Sequence, residues 1–126
     1  MAIRRGEIYW VEFDPVKGSE QGGVRPALVV QNDVGNQFGP TTVVVAMTRT
    51  IPPRPYPFVV TIAPEESGLP QVSAINCAQL ATIQKEGPAS RLRPPRGAGE
   101  VRPIGRLTPA RMAEVEAALK FNLGLR

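Results

Sequence analysis

A glycine-rich polar segment leads directly into an apolar run near the start of the chain. The segment spans residues 18–26, GSEQGGVRP, and the apolar run ALVV follows at 27–30. Pro26 disfavours helical backbone at Arg25 and keeps that residue extended. Loops on a rigid scaffold often carry binding side chains, and the planar guanidinium of arginine suits phosphate oxygens. The segment favours a phosphate-bearing ligand, although a solvated hairpin turn in which Glu20 and Arg25 only aid solubility would have the same composition.

Two polar residues at predicted strands are further candidates, because a sheet holds its side chains in place. Thr48 closes the apolar run at 43–47, and Gln79 interrupts an otherwise apolar segment. A half-buried amide needs hydrogen-bond partners, which a ligand or the protein itself can supply. Both residues are also compatible with ordinary structural roles, as a strand-ending threonine and a satisfied core or edge glutamine.

The composition limits the classes of site that this chain can build. Its 126 residues suit a single domain, spanning 1–126, and a formal charge of +4 favours an anionic partner such as nucleic acid. Histidine is absent from the sequence, and Cys77 is the only cysteine. An intramolecular disulfide and a cysteine-rich zinc site are therefore excluded. We also find no cluster of Asp and Glu with the spacing of metal ligands, so the sequence predicts no metal and no cofactor.

Apolar runs of the length that targeting or membrane insertion requires are not found in the sequence. The chain opens with MAIRR, without the apolar core of a signal peptide, and later runs are too short to span a bilayer. These features predict a cytoplasmic protein that does not enter a membrane.

Short runs rich in β-branched and aromatic residues predict five strands separated by turn-forming residues. The predicted strands are 7–13, 26–31, 41–48, 58–62 and 73–83, with a possible edge strand at 100–107. Residues 32–40 are interpreted as a turn-rich connection, and the proline-rich segment 51–57 as an exposed loop.

A helix is predicted to close the chain. Thr108 is a suitable N-cap, Pro109 occupies the favoured first position, and Gly124 is a suitable end. Met112, Val115, Leu119 and Leu123 recur at near-helical spacing and predict one apolar face. Several short strands without β-α-β alternation, followed by one helix, indicate a mostly antiparallel sheet curled into a small barrel.

Several segments along the chain resemble the MazF/PemK toxin family. They are RGEIYW at 5–10, GSEQGGVRP at 18–26, QND at 31–33, the strand that ends at Thr48, QLATI at 79–83 and the closing helix. The resemblance covers nearly the whole sequence. It implies a mainly β fold, a small SH3-like barrel of the MazF/Kid/CcdB type with a C-terminal α-helix.

The same resemblance implies a function. The family's members are homodimeric, sequence-specific and metal-independent endoribonucleases that cleave single-stranded RNA and are neutralised by a MazE-like antitoxin. Matched position by position, Arg25 and Thr48 correspond to the family's catalytic residues. Ser19, Glu20 and Gln21 match its RNA-covering loop, and Gln79 matches a glutamine that contacts bases. The RNA sequence that is cleaved does not follow from these matches.

The chemistry of RNA agrees with this interpretation. A 2′-OH can attack its adjacent phosphate without any metal, which leaves a 2′,3′-cyclic phosphate and a 5′-OH. The protein must then stabilise the extra negative charge and assist two proton transfers. Arg25 and Thr48 could donate hydrogen bonds to the phosphate. Glu20 is the nearest conventional base in the sequence, and the identity of the general base stays open.

Two other functions remain possible at this point. The first is a non-catalytic barrel that binds RNA or a peptide without cutting it. The second is a gyrase inhibitor like the related CcdB toxins, which rely on a C-terminal Trp-Gly-Ile. This chain ends with LGLR at 123–126, which argues against the second possibility.

Overall fold

The fold is described by a computed structural model, which covers residues 2–13 and 23–126. Within these ranges the chain forms seven strands and three helices. In order along the chain they are β1 (Glu7–Phe13), β2 (Gly23–Val29), α1 (Asp33–Phe38), β3 (Thr41–Thr48), β4 (Val59–Ile62), α2 (Pro64–Ser67), β5 (Ser73–Gln84), β6 (Leu92–Arg93), β7 (Gly105–Arg106) and α3 (Pro109–Leu123).

The strands form one antiparallel sheet in the order β4-β5-β3-β2-β1-β6. The edge of β1 that faces away from β2 is shared by two short strands. There β6 pairs with Trp10 and Val11, and β7 pairs with Glu7 and Ile8. Since both neighbours of β1 are thereby occupied, β1 and β2 are interior strands, and the residues they carry are held at fixed positions.

Apolar side chains are buried on both faces of the central strands. One core cluster contains Ile8, Leu28 and Val45, while their chain neighbours Tyr9, Val29 and Val44 belong to a second cluster. Successive side chains of a strand point to opposite faces, so the two clusters occupy the two sides of the sheet. A curled sheet covered on both faces is a rigid support for residues at its strand ends.

The C-terminal helix covers the first of these clusters. It begins as predicted, because the Thr108 side chain accepts a hydrogen bond from the Arg111 amide and Pro109 follows the cap. Met112 and Val115 are buried in the cluster, and Leu119 packs against it. Leu123, which the spacing also assigned to the apolar face, is 54% exposed because it lies at the last turn, beyond the sheet.

Three local expectations differ from the structure. Residues 32–40 contain helix α1, where the Asn32 side chain accepts a hydrogen bond from the Gly35 amide at 2.8 Å and so caps the helix. A second short helix, α2, precedes β5. The possible edge strand at 100–107 is reduced to Gly105–Arg106, because β6 occupies the remaining part of the same edge of β1.

The broader predictions are confirmed. All five predicted strands exist, with β2 beginning at Gly23 instead of Pro26, and a single long helix ends the fold. The fold class, a mainly β protein with a curled antiparallel sheet and a C-terminal α-helix, is the one that the sequence predicts.

Candidate functional site

Arg25 lies in the interior strand β2. It is directly opposite Val11 of β1. Its Nη2 donates a hydrogen bond to the carbonyl oxygen of Met47, in β3, at 3.2 Å. Partial burial lowers the pKa of the Arg25 guanidinium from its ordinary value, because the charged form loses hydration. Arg25 is therefore a strong hydrogen-bond donor in a partly desolvated position.

Thr48 is the last residue of β3 and pairs with Ala74 of β5. Its hydroxyl oxygen accepts a hydrogen bond from the Thr50 amide at 3.1 Å. A hydroxyl has one proton to donate and two lone pairs that can accept. Accepting from Thr50 occupies one lone pair and leaves the hydroxyl proton available to donate.

Arg25 and Thr48 lie towards the same end of the paired strands β2 and β3. Ala27 is paired with Ala46. Beyond this pair, towards the start of β2 and the end of β3, lie Arg25 and Thr48. The catalytic roles that the resemblance implies for Arg25 and Thr48 stay predictions.

Arg25 and Thr48 also line one open cavity of about 390 Å³. Trp10 and Pro26, which are paired across β1 and β2, form one wall. Leu69, Pro70 and Gln71, which connect α2 to β5, form the opposite wall. This volume is in the range of ligand-binding clefts in proteins.

The charged side chains in the described part of the cavity lining are all positive. Its described lining includes two arginines, Arg25 and Arg49, and the hydroxyls of Thr48, Thr50 and Ser73, but no carboxylate. Guanidinium and hydroxyl donors together, without a competing acid, form an environment that favours an anion.

Of the other predicted site residues, one is placed outside the described cavity lining and three are not described by the structure. Gln79 lies in β5, half-buried, close to the point where the β3–β5 register shifts between Val45 and Met47, and it is not among the described residues of the cavity lining. Ser19, Glu20 and Gln21 lie outside the described residues. Their predicted roles stay predictions.

Phe38 and Tyr56, aromatic side chains of the kind on which bases stack, are not among the described residues of the cavity lining. Phe38 lies exposed on α1, and the ring of Tyr56 stacks on Phe58 with centroids 5.2 Å apart. The aromatic wall is instead supplied by Trp10, which sequence reasoning assigned only to a strand. Its position next to Pro26 depends on the β1–β2 register, for which the local sequence carries no signal.

Clusters of three or more His, Cys, Asp or Glu side chains able to hold a metal are absent from residues 2–13 and 23–126. Over the same ranges, no helix is long and apolar enough to cross a membrane.

Comparison with known proteins assigns the chain to a family. The family described as PemK-like, MazF-like toxin of type II toxin–antitoxin system matches residues 4–123. The chain belongs to this family. It is 38% identical to Endoribonuclease EndoA of Bacillus subtilis over 125 residues, which is 99% of this chain and 97% of that protein. It is 37% identical to Endoribonuclease MazF of Staphylococcus epidermidis, over 98% of this chain and 92% of the relative.

Solved structures of the family share the fold. A mycobacterial endoribonuclease in complex with its cognate antitoxin superposes with a TM-score of 0.73 and 26% identity, covering 99% of this chain and 98% of that one. MazF from Deinococcus radiodurans gives the same score and identity, with 99% of each chain covered. The sequence-based assignment to the MazF/PemK family, and with it the endoribonuclease class, is confirmed.

Proposed function

We propose that this chain is a sequence-specific, metal-independent toxin nuclease that cleaves single-stranded RNA, including mRNA, to 2′,3′-cyclic phosphate and 5′-OH ends. The observation that supports it best is that Arg25 and Thr48 line one cavity, whose described lining has no carboxylate. A site of this kind offers donors to a phosphate, which is what transesterification of RNA requires.

The proposed reaction uses a nucleophile that the substrate carries. The 2′-oxygen attacks the neighbouring phosphorus, and the bond between phosphorus and the 5′-oxygen breaks. The 2′-OH loses its proton, and the departing 5′-oxygen gains one. The pentacoordinate intermediate carries more negative charge than the diester, so donors aimed at its oxygens lower the barrier.

Arg25 is proposed to bind this developing charge. Its guanidinium can give two parallel hydrogen bonds to phosphate oxygens, and the hydrogen bond to the Met47 carbonyl orients it. The lowered pKa of Arg25 also makes it a better proton donor than an ordinary arginine, which suits protonation of the 5′-oxygen.

Thr48 is proposed to position the phosphate. The hydroxyl oxygen accepts a hydrogen bond from the Thr50 amide, which holds the oxygen in place. The hydroxyl proton is then available to donate to a phosphate oxygen. Removal of the proton from the 2′-OH is left to a group outside the described cavity lining, and Glu20 stays the sequence-based prediction for a minor part in that step.

We further propose that the protein acts in the cytoplasm as a homodimer and is neutralised by a MazE-like antitoxin. Some structural relatives are described as MazE–MazF complexes or as an endoribonuclease with its cognate antitoxin. An acidic antitoxin segment that entered the same cavity would compete with RNA for Arg25, because both are polyanions.

One assay separates this proposal from its alternatives. Purified protein is incubated with a long RNA in EDTA, new ends are mapped by primer extension, and their 5′ groups are tested with a kinase that requires a 5′-OH. We expect discrete cuts with 5′-OH ends. Intact RNA that is nevertheless bound would indicate a binding module, and intact, unbound RNA together with gyrase inhibition would indicate a CcdB-like toxin. Arg25→Ala is the matched negative control.

A further inference from the structure

We infer that Arg49 is a second phosphate-binding residue, which holds the phosphate next to the scissile one. The inference rests on the proposed function, since it assigns a role within the same cavity. It concerns a residue that neither the local sequence pattern nor the resemblance to the family singled out.

The position of Arg49 is set by the turn that follows the last residue of β3. It follows Thr48 directly, and the hydrogen bond from the Thr50 amide to the Thr48 hydroxyl turns the backbone around Arg49. Consecutive Cα atoms are about 3.8 Å apart, so a ligand bound at Thr48 lies close to the backbone of Arg49. Both line the cavity, together with Arg25.

The guanidinium of Arg49 is uncommitted within the described part of the chain. It is exposed and has no hydrogen bond or ion pair to any residue of 2–13 or 23–126. Several other arginines are engaged with carboxylates. Arg5 pairs with Glu116 at 3.1 Å, and Arg93 with Glu12 at 3.3 Å. A cation that lines a cavity and lacks such a partner is available to an incoming anion.

A polynucleotide is the anion that would use both arginines. Each phosphate of a single strand has neighbours on both sides, so a strand with one phosphate at Arg25 necessarily brings another one close. Arginine can also stack on a base, which is a different role with a different signature. A phosphate contact changes affinity for all sequences and changes its dependence on salt, whereas a base contact changes the preference for one sequence.

The test compares Arg49→Ala and Arg49→Gln with the wild-type protein. Arg54→Ala is the matched control, because Arg54 is an exposed arginine in the same connection but is not among the described residues of the cavity lining. The substrate is a short single-stranded RNA centred on a mapped cleavage site, and KM and kcat are measured over a series of salt concentrations.

We expect both Arg49 variants to raise KM about ten-fold and to leave kcat nearly unchanged, since a hydrogen bond to a charged group is lost. The slope of log(kcat/KM) against log salt should become shallower by about 0.7 for the lost single-strand contact. Arg49→Lys should keep the slope, and Arg54→Ala should resemble the wild type. Unchanged KM and slope in both Arg49 variants would overturn the inference, as would a loss confined to one RNA sequence.

Failure of the inference can be told apart from failure of the proposed function. If the wild-type protein cleaves RNA and the Arg49 variants match it, only the inference is wrong. If the wild-type protein cuts no RNA, fluorescence anisotropy with a labelled mixed-sequence single strand still tests the contact, because Arg49→Ala should weaken salt-sensitive binding and Arg54→Ala should not. Thermal unfolding of each variant verifies that it is folded.

Discussion

The guanidinium of Arg25 donates a hydrogen bond to the carbonyl oxygen of Met47, the residue immediately before Thr48. This contact ties β2 to the end of β3, next to Thr48. The backbone of β3 thus orients the guanidinium, and Arg25 and Thr48 both line the cavity in which we propose that the phosphate binds.

Replacing Arg25 should abolish most of the cleavage without unfolding the protein. Arg25→Ala removes a preorganised donor to the developing charge, and loss of one such donor lowers kcat by about 10²–10³. Arg25→Lys keeps a charge but cannot give two parallel hydrogen bonds, so it should stay at least about ten-fold below the wild type. Single-turnover cleavage measures both effects. Arg96→Ala, which removes an exposed arginine from a distant loop, should leave the rate unchanged.

The cleavage rate should depend on the hydroxyl group of Thr48 and not on its methyl group. Thr48→Val has the same shape but cannot donate to the phosphate, so we expect kcat to fall about 10²-fold. Thr48→Ser keeps both the donor and the acceptor for the Thr50 amide and should retain most of the activity. Equal rates for the valine and serine variants would show that the hydroxyl has no part in the reaction.

The wall of the cavity formed by 69–71 depends on a close backbone approach between α2 and β7. A Cβ atom on Gly105 would overlap the carbonyl oxygen of Ser67, and one on Gly68 would overlap that of Ile104. Gly105→Ala should therefore lower the free energy of unfolding by about 1–3 kcal/mol, measured by urea denaturation. It should also reduce the cleavage rate, because residues 69–71 follow Gly68 in the chain and line the cavity. Gly99→Ala, where nothing lies within 4 Å, is the matched control and should change neither property.

Cys77 should make the protein less stable at high pH. Burial raises the pKa of its thiol from 9.0 to about 11 in the folded state, because the core does not solvate a thiolate. Between these values the unfolded chain loses the proton while the folded chain retains it, so the free energy of unfolding falls as the pH rises from 9 to 11. The Cys77→Ala variant lacks this contribution.

The measurement is the free energy of unfolding of both proteins across that pH range. The advantage of the wild type over Cys77→Ala should shrink as the pH rises. Burial also raises the pKa of Tyr9. Both proteins contain Tyr9, so its contribution to the free energy of unfolding cancels when the two proteins are compared. A difference that is constant from pH 8 to 11 would contradict the prediction, and so would rapid alkylation of Cys77 by iodoacetamide in the folded protein.

Local patterns in the sequence were sufficient for the five main strands and the last helix. Alternating β-branched runs predicted the strands, and Thr108, Pro109 and Gly124 predicted the limits of the last helix, because capping and strand propensity act over a few neighbouring residues. Helix α1 carried a similar signal in the Asn32 cap, which the surrounding glycines and proline obscured. The roles of Arg25 and Thr48 were predicted through the family's motif.

What completes the cavity was decided by tertiary structure alone. Trp10, Arg49 and Gln71 belong to three segments that are distant in sequence, and they meet because β1, β2 and β3 pair in one register and because Gly68 and Gly105 let α2 approach β7. Register depends on which buried faces match across strands, so it is a property of the packed sheet and not of any single segment.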